Sequence, residues 1–273
     1  MAGRPSESRL MNAEVSRPLV RHIYDLVDGA YAPTALATGP WDRRLQSGVV
    51  LNALIAHLIE QAPSPVPMVT SRLLLDMMKP TLMAPVETRV SVLREGKRLQ
   101  LLDVELIQDG ATTARASALR IRAGESPATD APRHLLPSID LPSLNGGRSP
   151  LQHINETRLE SGGLEVPGPG VVWARMTGEI LPGVPISPFV QLAMAADFGS
   201  GTSSFVNWRE WSFANVDISL HLTRMPQGEW VRIAAETRSA GNGIAIVHST
   251  LADEQGELGH AHQTLFLDKR KSE

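Results

Sequence analysis

Between residues 216 and 222 apolar and polar side chains alternate, with Val216, Ile218, Leu220 and Leu222 set against Asp217, Ser219 and His221. A period of two predicts a strand with one buried face. Pro226 and Gly228 interrupt the pattern and Glu229-Trp230-Val231 resumes it, so residues 213–230 read as two strands around a turn. Strand-like runs follow at 229–238, 243–252 and 259–267. Ahead of them lie a strand at 171–180 and a helix at 189–198. The helix opens on Ser187-Pro188, a cap with proline at the first helical position, and ends at Gly199 and Gly201.

The first half carries the same order. Leu51, Leu54, Ile55, Leu58 and Ile59 recur at helical spacing after Gln46-Ser47-Gly48, and Pro63 closes the run. Strand-like runs follow at 69–78, 86–94, 98–108 and 113–122. Short apolar runs within residues 20–37 suit edge strands, or a helical turn for the first of them. Sliding the chain by 145 residues sets Asn52 on Asp197, Thr70 on Asn215, Gly96 on Gly241 and Leu106 on Leu251. One inserted residue at the last turn then sets Gly110 on Gly256 and Leu119 on Leu265, which points to a tandem duplication.

A helix wrapped by a curved antiparallel sheet, present twice, predicts an α+β fold, a tandem (double) hotdog. The expected divisions are a polar arm at 1–17, one hotdog at 18–122, a linker at 123–170 and a second hotdog at 171–270. The linker is rich in Pro, Gly and Ser, with a packed segment near residues 151–159. This alignment sets Asn52, Thr70 and Ser117, all neutral, on Asp197, Asn215 and Gln263.

Composition narrows the classes of function. At 273 residues, 42% hydrophobic and 20% charged, the chain is that of a soluble globular protein. A net charge of −3 offers no electrostatic footprint for nucleic acid. The absence of cysteine removes disulfides, thiolate zinc sites and a cysteine nucleophile, and favours a cytoplasmic location. No stretch approaches the roughly 20 apolar residues that span a bilayer, and the N-terminus lacks a signal-peptide core, so no membrane association is expected.

Three features carry candidate chemistry. Asp197 falls in the last turn of its helix, where a carboxylate faces the negative end of the dipole at a cost of about 0.3 to 1 kcal/mol. It can serve as a general base or orient a water, or it can cap the loop that follows. Gln263 stands in the apolar alternation of Ala261, Leu265 and Leu267, and a buried amide needs partners. Alternation places Asn215 opposite the leucine face. His260 and His262 share a strand face, but no third ligand stands at metal-site spacing, so they read as a surface pair and no metal is expected.

The chain resembles double-hotdog acyl-CoA thioesterases related to bacterial acyl-CoA thioesterase II. The resemblance runs from Gly39 to Leu267, on GPWDRRLQSG, Asp103-Val104-Glu105-Leu106, ARASALRIR, AMAADFGSG, ANVDISLHLTRMPQGEW and GHAHQTLFL. It implies that an aspartate, a glutamine and a threonine hold the hydrolytic water. By motif these fall on Asp197, Gln263 and Asn215, the last a departure that keeps hydrogen-bonding capacity. It also implies an oxyanion site at the N-terminus of the first helix, at Gly48 and Val49. Related sequences have His-Gly-Gly or Phe-Gly-Gly there and this chain has Ser47-Gly48-Val49.

The implied activity is hydrolysis of an acyl-CoA or other acyl thioester to free acid and thiol, without a cofactor. The alternatives are a non-hydrolytic acyl-thioester binding module, or a hotdog dehydratase or isomerase. Two hotdogs in one chain already complete the unit that single-hotdog chains build by dimerising, which leaves further homo-oligomerisation open.

Overall fold

The computed structural model describes residues 20–127, 130, 132–144 and 149–270. The arm expected at 1–17 lies outside them. In chain order the elements are β1 (Tyr24–Val27), β2 (Ala30–Pro33), α1 (Gly48–Gln61), β3 (Met68–Met77), β4 (Glu87–Arg94), β5 (Leu99–Gln108) and β6 (Ala111–Arg122). The second half holds β7 (Asn155–Ser161), β8 (Gly170–Met176), β9 (Glu179–Leu181), β10 (Val184–Pro185), α2 (Pro188–Ala196), α3 (Gly199–Thr202), β11 (Trp211–Leu222), β12 (Val231–Ser239), β13 (Ile244–Asp253) and β14 (Gly256–Lys269).

Ten strands form one antiparallel sheet in the order β4-β5-β6-β3-β11-β14-β13-β12-β8-β7. The halves meet where β3 pairs with β11. There Leu74 lies opposite Ser219, its own counterpart in the duplication, and Leu73 opposite Leu220 is balanced by Leu75 opposite Ile218. The joint is therefore self-complementary, as at a twofold interface between identical subunits. Val49 to Ile59 of α1 are all buried. A helix apolar on every side needs cover on every side, and the sheet supplies it from one flank while α2 packs against the other. Ala114, Ala116 and Ala118 on β6 are short enough to leave room for that helix. The fold is a double hotdog of the α+β class. No helix among the described residues is long and apolar enough to cross a membrane.

Three details differ from the sequence reading. The strands keep the 145-residue offset throughout: the bulge after Thr70 matches that after Asn215, and Leu102 opposite Ala118 matches Val247 opposite Gln263. No inserted residue is needed, so Gln263 corresponds to Ala118 rather than Ser117. The helices are offset by 140, from cap Ser47 to cap Ser187, because the loop between α3 and β11 is longer than that between α1 and β3. Asp197 therefore answers to His57, not Asn52. Finally, the segment read as a linker contributes β7, which pairs with β8 at the sheet edge, with Leu151 and Ile154 buried just before it.

Residue 253 and its counterpart 108 both pin the loop that follows a central strand. Asp253 is buried and accepts from Arg224 Nη1 and Nη2 at 2.7 and 2.6 Å and from the Gln227 amide at 2.8 Å. Gln108 accepts from the Leu82 amide at 2.8 Å and donates to the Ala84 carbonyl at 2.9 Å. The loop held by Gln108 forms one wall of the cavity described next.

Candidate active site

Asp197 ends α2 and projects into a cavity of about 570 Å³ between the two halves. Its Oδ1 accepts from Asn215 Nδ2 and, at 3.2 Å, from Gln263 Nε2. Gln263 also donates to the Asp197 backbone carbonyl at 3.3 Å, while its Oε1 accepts from the Ser200 amide at 3.0 Å. The amide side chain is thus fully committed and holds the carboxylate from below. Protein surrounds Asp197 and leaves only its cavity side open, and this burial pushes its pKa up to about 7 against the lowering effect of the bonds from Asn215 and Gln263.

Asn215 reaches the site because the alternation of β11 is reset. A bulge between Asn215 and Asp217 leaves Val216 unpaired and exposed, so Phe213 and Asn215 turn to the same side as Ile218 and Leu220. The expected inward Val216 points out instead. Asp217 repairs the ladder by accepting the Thr264 amide. Asn215 Nδ2 is used by Asp197, but its Oδ1 is buried with no hydrogen-bond partner among the described residues.

Across the cavity, α1 begins at Gly48 behind an extended Ser47 whose side chain makes no capping bond. The amides of Gly48 and Val49 have no intrahelical acceptor at that position. A Cβ on Gly48 would lie 3.0 Å from Asp197 Oδ2 and 3.0 Å from Met77 Cε, so glycine is what permits the carboxylate and this helix end to face each other. The helix start is fixed from behind by Gln46, whose Oε1 accepts from the buried Tyr24 hydroxyl at 2.8 Å and whose Nε2 donates to the Leu82 carbonyl at 2.8 Å. Sequence reasoning did not single out Tyr24, a core aromatic with one polar end.

The duplicate position is built differently. There the first helical residue is Pro188, which has no amide hydrogen to offer. Ser187 caps Val190 and donates to Glu60 at 2.7 Å. His57, Thr70 and Ala118 stand in place of the three polar residues, and burial lowers the His57 pKa. Asp197, Asn215, Gln263, Gly48 and Val49 come together at one place only. The rest of the cavity wall is largely apolar, with Trp41 edge-on to Phe213 at 5.2 Å near one end and Leu144, Leu151 and Leu164 elsewhere. Trp208 also lines it, whereas Trp230 lies under Arg158 and Arg175 away from the cavity. Among the described residues no three side chains of His, Asp or Glu already converge as metal ligands.

Fold and site together define a double hotdog with a carboxylate-bearing cavity between its halves. Comparison with known proteins sharpens that class. The acyl-CoA thioesterase N-terminal domain matches residues 37–121 and the acyl-CoA thioesterase C-terminal domain matches residues 123–267. The chain belongs to the acyl-CoA thioesterase family. No curated protein matches it.

Among solved structures, it is similar to an acyl-CoA thioesterase II from Mycobacterium marinum, with 15% identity, a TM-score of 0.65, and 93% of this chain and 97% of that one covered. A hot dog fold protein of unknown function from Alicyclobacillus acidocaldarius matches at 16% identity and TM-score 0.67, over 90% of this chain and 96% of that one. A candidate thioesterase from Novosphingobium aromaticivorans matches at 25% identity and TM-score 0.62, over 93% of this chain and all (100%) of that one.

Proposed function

We propose that this protein hydrolyses acyl-CoA thioesters, with Asp197 as general base. The observation that carries the reading is a carboxylate with a pKa near 7 facing an uncapped helix N-terminus across an apolar cavity. A base poised near the working pH is suited to take a proton from water. The water sits between Asp197 Oδ2 and the unpartnered Asn215 Oδ1. It attacks the thioester carbonyl carbon as its proton passes to Asp197. The carbonyl oxygen becomes an oxyanion held by the Gly48 and Val49 amides, where donors and helix dipole favour negative charge. Collapse of the tetrahedral intermediate breaks the carbon–sulfur bond, and Asp197 returns the proton to the departing thiolate. One thioester and one water give one carboxylic acid and one thiol, with no cofactor consumed.

Gln263 acts as a positioning residue, since both ends of its amide are engaged within the protein. The test is thiol release from acyl-CoA substrates of graded chain length, with binding measured in parallel. Release by the wild type that Asp197→Asn abolishes is the expected result. Binding without release by the wild type would overturn the proposal and identify an acyl-thioester binding module.

A further inference from the structure

Four of the eight histidines gather on the outer face of the sheet, remote from the cavity. His260 and His262 are two apart on β14 and project to the same side, while Ala261 and Gln263 between and beside them turn inward and are buried. The sheet register then adds what the sequence spacing hides: His248 on β13 lies opposite His262, and His221 on β11 lies opposite His260. His248 Nδ1 stands 2.9 Å from His262 Nε2, with ring centroids 4.8 Å apart. The His260 ring stacks 5.3 Å from that of His248, and its Nδ1 is buried with no hydrogen-bond partner among the described residues.

We propose that His248 and His262, joined by His260, form a binding site for a divalent transition-metal ion that prefers imidazole, with Zn²⁺ as the type case. As the rings stand, no three donors converge on one point; the site is a pair of facing nitrogens with a third imidazole beside it. Two ligands on one tetrahedral zinc, each bonded at about 2.0–2.1 Å, lie roughly 3.3 Å apart. The pair at 2.9 Å therefore needs only a small opening for an ion to replace the single proton it shares. His248 and His262 are exposed, so their rings turn without disturbing the core. His260 joins by rotating out of its stack, and Glu257 Oε1, 3.2 Å from its Nε2, supplies the outer carboxylate that orients a metal-bound imidazole. Of the other carboxylates on this face, Asp217 is held by the Thr264 amide and Glu236, opposite His248 on β12, is held by Arg238, so neither is a ligand. An ion here ties β13 to β14, the strand that presents Gln263 on its other side.

The experiment is isothermal titration and thermal unfolding of the untagged full-length protein with Zn²⁺, Ni²⁺ and Mg²⁺. Zn²⁺ and Ni²⁺ are expected to bind and raise the melting temperature, because an ion that binds only the folded chain stabilises it. Mg²⁺, which takes oxygen ligands, is expected to leave it unchanged. His248→Ala and His262→Ala should each weaken Zn²⁺ binding by at least the roughly tenfold that loss of even an outer-sphere partner costs. His153→Ala, outside the cluster, should bind as the wild type does. No Zn²⁺ binding by the wild type, or equal binding by the double variant His248→Ala/His262→Ala, overturns the proposal.

Discussion

Asn215 Nδ2 and Gln263 Nε2 donate to the same oxygen, Oδ1 of Asp197, and leave Oδ2 turned toward Gly48. The carboxylate is thereby divided into a held oxygen and a free one. The two donors also oppose the effect of burial on its pKa, which without them would lie above the value near 7 that it has. A base needs both properties, a fixed orientation and a protonation state that changes near the working pH.

Asp197→Asn keeps the shape of the side chain and removes the base. Hydrolysis should fall by about 10²- to 10⁴-fold while acyl-CoA affinity is preserved, measured by thiol release and by titration of a non-hydrolysable thioether analogue. The same variant should melt higher than the wild type at pH 8. The folded-state pKa of Asp197 is raised, so the stability it contributes is full below its unfolded value of 3.8 and lost as pH rises through about 7. The advantage of Asn over Asp should therefore shrink as the pH is lowered from 8 to 5, which melting curves across that range will read directly.

Hydrolysis by the wild type should rise with pH and level off above about 7, following ionisation of Asp197. Asn215→Leu removes one of the donors that lower this pKa, so its pH–rate midpoint should move upward. Asn215→Thr retains a hydroxyl donor and should keep the midpoint near that of the wild type. A midpoint unmoved in Asn215→Leu would mean that Asn215 does not act on the carboxylate.

The duplication was legible because strand alternation is strict and two copies slide onto each other with turns in step. Gln263 was legible as the one amide in an apolar alternation. Helix phase was not, because α1 and α2 are apolar on nearly every side and such a pattern matches at several offsets. That concealed the correspondence of Asp197 with His57. The inward turn of Asn215 was hidden for another reason: the bulge at Val216 adds one residue without a glycine or proline to mark it. His248 and His221 join the pair at 260 and 262 only through cross-strand register, which sequence separation does not reveal.

Gly48→Ala should lower turnover by up to about a hundredfold, the cost of misplacing a reacting group by about 1 Å. The added methyl meets Met77 Cε and Asp197 Oδ2, each at 3.0 Å. The methionine end is flexible and yields, whereas the carboxylate is tied by two bonds and must either turn or occupy the space of the water. Thermal stability should change little, since the flexible end of Met77 can give way to the methyl. A variant with normal turnover would exclude the helix start from the site.

Gly199→Ala tests the support behind the carboxylate. A Cβ there would stand 2.5 Å from Ser249 Oγ and 2.7 Å from Gln263 Oε1, both too close to tolerate. Overpacking of this kind costs about 1–3 kcal/mol, and displacing Gln263 also breaks its bond with the Ser200 amide. Ser249→Gly in the same chain removes the first clash and leaves the second. The double variant should therefore recover part of the lost melting temperature without recovering activity, since Gln263 remains displaced. Recovery of both together would mean that Ser249, rather than Gln263, is the neighbour that requires glycine at position 199.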